Sequence, residues 1–191
     1  MEIKATDVKA LREKTGAGMM DCKKALQEAQ GDFQKAERLL KELGLAAAAK
    51  RAGRATNQGR IFSQLGDGLG VLLEPTCDTH FVAKNKDFLA LGRKLTGLAL
   101  AKGQAATRAD FEGQVKDTVG IIKENMELRR LGFLSAGPQE LLVEYIHGEG
   151  RLGVLVKLAL SSAELVKQPR VKEVAFELAL HAAAFAPQYL S

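Results

Sequence analysis

Cys77-Asp78-Thr79-His80 sets a thiol, a carboxylate, a hydroxyl and an imidazole within four residues, the raw material of a Cys–His nucleophile pair or of half a zinc site. Either use needs further parts. His147 and His181 sit in other predicted elements with no ligand spacing around them, so the sequence shows no second half. Gly148-Glu149-Gly150-Arg151-Leu152-Gly153 matches G-x-G-x-x-G, in which glycines let backbone approach a pyrophosphate at a helix N-terminus. The next residues, Val154-Leu155-Val156-Lys157-Leu158, have a strand pattern, so there is no helix dipole to hold a phosphate and the glycines read as a β-turn. No metal, cofactor or bound nucleotide is expected.

Two apolar features are of a different kind. Phe81 follows polar Thr79 and His80, just past the strand-ending Pro75 and just before a helix, so it projects from a loop tip or tucks into the core. A projecting ring would anchor in a partner's pocket. Met19 shares the helical stripe of Cys22 and Leu26, whereas Met20 falls off it and faces water beside Gly16-Ala17-Gly18. An adaptable thioether at a helix start suits docking, although one exposed apolar side chain also needs no explanation.

The elements that hold these residues can be read from periodicity and turn chemistry. Residues 1 to 44 read as three short helices: one capped by Thr6 and stopped at Thr15-Gly16, one lined by Met19, Cys22, Leu26 and Ala29 and ended at Gly31, and one capped by Asp32 and ended by Gly44. Helices this short are unstable alone and should pack as one bundle. Leu45 to Ala55 is Ala-rich, carries Lys50, Arg51 and Arg54 without an acid, and reads as an exposed helical connector. Ile61-Phe62 and Leu69 to Leu73 flank Gly66-Asp67-Gly68 as a hairpin, which Pro75 should end. Helices are predicted from Phe88 to Lys102, interrupted by Gly92 and Gly97, and from Phe111 to Asn125. A second β region begins near Leu128, continues through Leu141 to Ile146, turns at His147-Gly148-Glu149-Gly150 and returns through Leu152 to Leu158, a strand mostly covered on both faces. Pro169 opens a last helix with Val171, Val174, Ala175, Leu178, Ala182 and Phe185 inward, and Pro187 ends it. The expected class is α+β, an N-terminal three-helix bundle followed by a core of antiparallel hairpins packed with helices. The predicted units are 1–45, a linker helix at 46–58, a first core subdomain at 59–137 and a second at 138–191.

Composition bounds the function. The 191 residues, 46% hydrophobic and 27% charged, fit one ordinary domain or two small ones and exclude a fibre, a disordered tail or a large enzyme. A net charge of +5 permits an acidic partner without demanding one. With no Trp and only 5% aromatics, there is little ring surface to stack unpaired bases, which argues against nucleic acid. No apolar run reaches the roughly 18 to 20 residues that cross a bilayer, and Met1-Glu2-Ile3-Lys4 has no apolar signal core, so a cytoplasmic protein with no membrane partner is expected. Cys22 and Cys77 lie far apart and read as free thiols.

Leu11-Arg12-Glu13-Lys14-Thr15-Gly16-Ala17-Gly18-Met19-Met20-Asp21-Cys22-Lys23-Lys24-Ala25-Leu26 resembles the N-terminal signature of the bacterial elongation factor Ts family. Cys77 to Asn85 resembles the family's Thr-Asp-Phe-Val loop, and Tyr145 to Gly148 with Arg151 to Val156 resembles its second hairpin. Lys123-Glu124-Asn125, Arg129-Arg130 and the ending Pro187-Gln188-Tyr189-Leu190 fall in family order. The resemblance implies a guanine nucleotide exchange factor for the GTPase elongation factor Tu, not an enzyme and not itself a nucleotide binder. It implies that the bundle, of ubiquitin-associated type, docks on the GTPase's nucleotide domain while the core also contacts its C-terminal domain. By position, Thr79, His80, Phe81 and Val82 would be the loop that displaces the GTPase's Mg²⁺, with Phe81 the wedge, and Leu11, Met19, Met20 and Lys23 the bundle's docking contacts. His80 departs from the family's usual Asp, so any contact made by that carboxylate is lost or altered. The chain also stops where longer members continue, as a truncated form or as one half of a homodimer that completes the core. A small basic RNA- or ribosome-binding protein is the alternative, and a Cys77-dependent enzyme the third reading.

Overall fold

The computed structural model describes residues 3–189; Met1, Glu2, Leu190 and Ser191, and with them the ends of the start and terminal motifs, lie outside the described residues. α1 (Ala5–Thr15) starts after extended Lys4, one residue before the predicted cap Thr6, whose hydroxyl instead bonds Asp7 at 3.4 Å. Gly16 closes it in the left-handed conformation, φ +69°, and its N–H donates to Arg12 O. α2 (Met19–Glu28) comes next, and Asp32 caps α3 (Phe33–Arg51) by accepting from Lys35 N–H at 3.0 Å. Val8, Leu11, Cys22, Ala25, Leu26, Ala29, Ala36 and Leu40 form the buried interior of this bundle.

Gly44 does not end α3, contrary to the sequence expectation. The helix passes through it and absorbs most of the connector because Gly44 lies backbone to backbone against Gly120, where a Cβ on Gly120 would come within 2.8 Å of Gly44 Cα. Propensity makes glycine a poor helix residue, but here its missing side chain creates the contact between two helices.

β1 (Gln58–Gly59), β2 (Phe62–Gly66) and β3 (Leu69–Cys77) lead into the core, with the β2–β3 turn at Asp67-Gly68. β3 is the central strand: β1 and β2 pair along it, and β4 (Met126–Ser135) joins it antiparallel from Leu69↔Ser135 to Cys77↔Met126. Pro75 does not end β3. The register shifts between Glu74 and Pro75, and at such an irregularity a residue without an N–H leaves no ladder bond missing. That extension carries β3 to the loop of interest.

α4 (His80–Ala83) is a single turn, followed by α5 (Lys86–Lys102) and, after a 3₁₀ turn at Arg108–Phe111, α6 (Glu112–Ile122). α6 stops three residues before the predicted Asn125 because Lys123 takes the left-handed conformation, φ +67°. Val71, Leu73, Phe88, Leu91, Leu95, Val115 and Val119 bury between sheet and helices. Gly92 is required there: a Cβ would stand 2.2 Å from the Phe62 ring.

β5 (Glu140–His147) and β6 (Leu152–Ala159) form a separate two-stranded sheet backed by α7 (Pro169–Phe185), with Pro169 in its first turn. The predicted second β region is therefore divided, its first strand belonging to the sheet of β3. β6 is only half-buried, not covered on both faces. On α7 only Ala175 and Ala179 are fully buried, whereas Leu178 and Phe185, predicted inward, are exposed. Two small residues one turn apart let the helix lie close to the hairpin and leave its larger side chains outside. Among the described residues no helix is long and apolar enough to cross a membrane.

Candidate partner-docking surface

The segment after β3 places its side chains by the geometry of one helical turn. Thr79, extended, caps α4 by accepting from Val82 N–H at 3.4 Å. Val82 and Ala83 then turn into the core, and His80 and Phe81 are left outside, with Phe81 75% exposed. The two rings lie against each other, centroids 3.9 Å apart. Thr79 donates its N–H and its hydroxyl to the Glu124 carboxylate at 3.1 and 2.9 Å, and Arg60 Nε donates to Ala83 O at 2.7 Å. Asn85 then caps α5 by accepting from Asp87 N–H at 2.8 Å. An apolar ring in water on a turn held at both ends has the form of an anchor side chain.

On the bundle, Met19 and Met20 open α2 and are both exposed, Met20 more so, and Lys23 is exposed on the next turn. Leu11 is fully buried within the bundle. Leu11 and Val82 are therefore interior residues, of the bundle and of the core, while Met19, Met20, Lys23, His80 and Phe81 are exposed.

Burial, then the charges of Glu124 and Asp78, push the Cys77 thiol up to about 12, and Cys77 Sγ donates to Thr79 O at 3.3 Å. A thiol in that state is not a nucleophile near neutral pH. Cys22 is also a buried free thiol. His147 Nδ1 pairs with Tyr145 OH at 2.8 Å, and His181 lies against Phe185. Among the described residues no group of His, Cys, Asp or Glu is arranged to hold a metal. Gly148 and Gly150 form the β5–β6 turn at positive φ, and Ile61 N–H donates to Gly150 O at 2.7 Å, so these glycines serve a turn and its close packing. In the cleft beside β3 and β4, Glu74 pairs with Arg130 at 2.6 Å and with Arg129 at 4.0 Å.

Sequence reasoning singled out Glu124 and Asp78 only as members of their local motifs and missed that they tie the two segments together. They stand 45 and 47 residues from the groups they bind, so no local pattern joins them.

Fold and surface together define an α+β protein that presents an exposed aromatic ring on a braced turn and a methionine pair on a helical bundle. A family model described as Elongation factor TS matches residues 78–191. Over 190 residues the chain is 45% identical to elongation factor Ts of Treponema denticola, covering 100% of this chain and 68% of that protein. It is 40% identical over 192 residues to elongation factor Ts of Borrelia recurrentis, covering 100% and 69%. Against elongation factor Ts of Symbiobacterium thermophilum it is 43% identical over 194 residues, covering 99% and 64%. The chain belongs to the elongation factor Ts family.

Proposed function

We propose that this chain promotes GDP release from elongation factor Tu, with Phe81 as the wedge that enters a pocket of the GTPase and disturbs its Mg²⁺ and phosphate site. The observation that carries the reading is Phe81 itself, 75% exposed while its neighbours Val82 and Ala83 are buried. Met19, Met20 and Lys23 supply a second contact on the GTPase's nucleotide domain. We read the units as a bundle at 1–45, a connector at 46–58 and two core subdomains at 59–137 and 138–191, acting in the cytoplasm.

The mechanism asks for no acid, base, metal or bound nucleotide from this chain. An exchange factor binds the empty GTPase more tightly than the GDP-loaded one, and by linkage GDP weakens the factor by the same ratio. A ring that fills a pocket only in the nucleotide-free state supplies that difference. Replacing Asp by His80 trades a fixed negative charge for an imidazole that lies tilted against the wedge ring, so any aid from His80 comes through that ring contact rather than through a carboxylate.

The test is release of fluorescent GDP from elongation factor Tu by catalytic amounts of this protein. Acceleration supports the reading, and absence of both acceleration and complex formation removes it. Complex formation that is insensitive to salt separates protein docking from the RNA-binding alternative, whose affinity falls steeply with salt.

A further inference from the structure

Residues 123–125, the turn between α6 and β4, reach three parts of the molecule. Lys123 Nζ pairs with Asp21 Oδ2 in α2 at 2.7 Å. Glu124 holds Thr79 at the base of the Phe81 turn through two donors. Asn125 donates from Nδ2 to Arg54 O in the connector at 2.8 Å, and its own N–H donates to Asp78 Oδ2 at 3.1 Å. Beside this turn, α3 and α6 touch at Gly44 and Gly120, which sets the bundle directly against the core.

The Lys123–Asp21 pair has side chains 46% and 39% exposed, so it adds little to stability and acts through geometry. The Glu124 bonds are charge-assisted and part-buried, and they fix the turn from which Phe81 projects. A preordered ring loses little freedom on binding, and two contacts on one rigid body make the second intramolecular once the first forms.

We propose that Lys123-Glu124-Asn125 positions the exchange surface: Glu124 fixes the presentation of Phe81, and Lys123 and Asn125 hold that turn in register with the docking face of α2. The inference rests on the exchange reading proposed for this chain. These are positioning residues, since none is argued to touch the nucleotide site.

The experiment measures GDP release from elongation factor Tu against factor concentration, with amide hydrogen exchange on the free protein. Glu124→Ala should lower the plateau rate roughly 10- to 100-fold, as misplacement of a binding group does. It should deprotect amides 79–83 while the melting temperature of the bundle and core changes little. Glu124→Gln, which keeps one acceptor oxygen, should recover part of the rate, and Thr79→Val, which keeps only the N–H donor, should fall between. Asp21→Ala should raise the half-saturating concentration and spare the plateau, and the reversed pair Asp21→Lys with Lys123→Asp should restore it. If Glu124→Ala does not fold, Thr79→Val and the reversed pair decide the question alone. Wild-type release with an unchanged plateau in Glu124→Ala or Thr79→Val overturns the positioning inference only. No release by the wild-type chain overturns the exchange reading and this inference with it.

Discussion

Phe81 and Phe185 are almost equally exposed, at 75% and 72%, yet they stand on different foundations. Phe81 sits on a turn whose next two residues are buried and whose cap and exit are held by Glu124 and Arg60. Phe185 ends α7 between exposed Ala184 and Ala186, and its ring lies beside His181, itself exposed. The same side chain in the same amount of water thus has two meanings. Binding energy comes from an apolar group whose position is already determined, because ordering it on contact would offset much of the gain.

Exchanging the two rings for alanine tests this contrast most directly. Phe81→Ala should cost about 2 to 4 kcal/mol of the exchange-competent complex, read as a loss of GDP-release rate with an unchanged melting temperature. Phe185→Ala should leave release within about twofold, which corresponds to less than about 0.5 kcal/mol. Equal losses from the two would erase the distinction.

A smaller effect comes from loosening the core into which Val82 and Ala83 are packed. Gly92→Val would drive a side chain into Phe62 and destabilise the core by about 1 to 3 kcal/mol, seen as a lower denaturation midpoint. Release measured well below that midpoint should persist, because the turn under Phe81 is held by its own bonds. Parallel loss of activity and stability would show that the turn depends on the whole core instead.

The chemistry under the ring gives the third test. With the Cys77 pKa raised by burial, the folded state holds its proton more strongly than the unfolded chain. That contribution is intact below about 9 and is lost as pH rises from about 9 to about 12, so alkaline denaturation should ease when Cys77 is replaced by Ser. At pH 7 an alkylating reagent should label Cys77 only on unfolding and leave GDP release unchanged. Rapid labelling of the folded protein would show that the base of the turn opens.

The smallest effect lies at the junction between α5 and α6. The hydrogen bond from Lys102, then those from the Thr107 backbone and hydroxyl, lower the Asp110 carboxyl to about 2. Its contribution is present above the ordinary carboxylate range near 3.8 and is lost as pH falls toward about 2. Asp110→Asn should remove that part of the acid sensitivity and leave GDP release as it was.

Helix existence was legible wherever apolar spacing and a cap agreed, as at Asp32, Gly16 and Pro169. The β2–β3 hairpin was legible from Gly66-Asp67-Gly68, and the contrast between Met20 and the buried stripe of α2 from periodicity alone. Phe81 could be singled out by its place after a strand and before a helix, although those neighbours left two orientations open. Leu11, drawn into the docking set by resemblance, belongs to the bundle's interior. Met19, on the apolar stripe, is exposed because it opens the helix at the bundle's edge.

Such local rules act over one turn of chain, where spacing, caps and missing N–H groups directly set backbone conformation. They therefore established the helices, the first hairpin and the solvated character of Met20. They could not assign β4 to β3, carry α3 through Gly44, take β3 past Pro75, or put Glu124 beneath Thr79. Each of those outcomes depends on a partner distant in sequence, and only packing in three dimensions brings that partner into contact. Whether Phe81 faces water or core was decided there too, when Val82 and Ala83 took the inward positions of the turn.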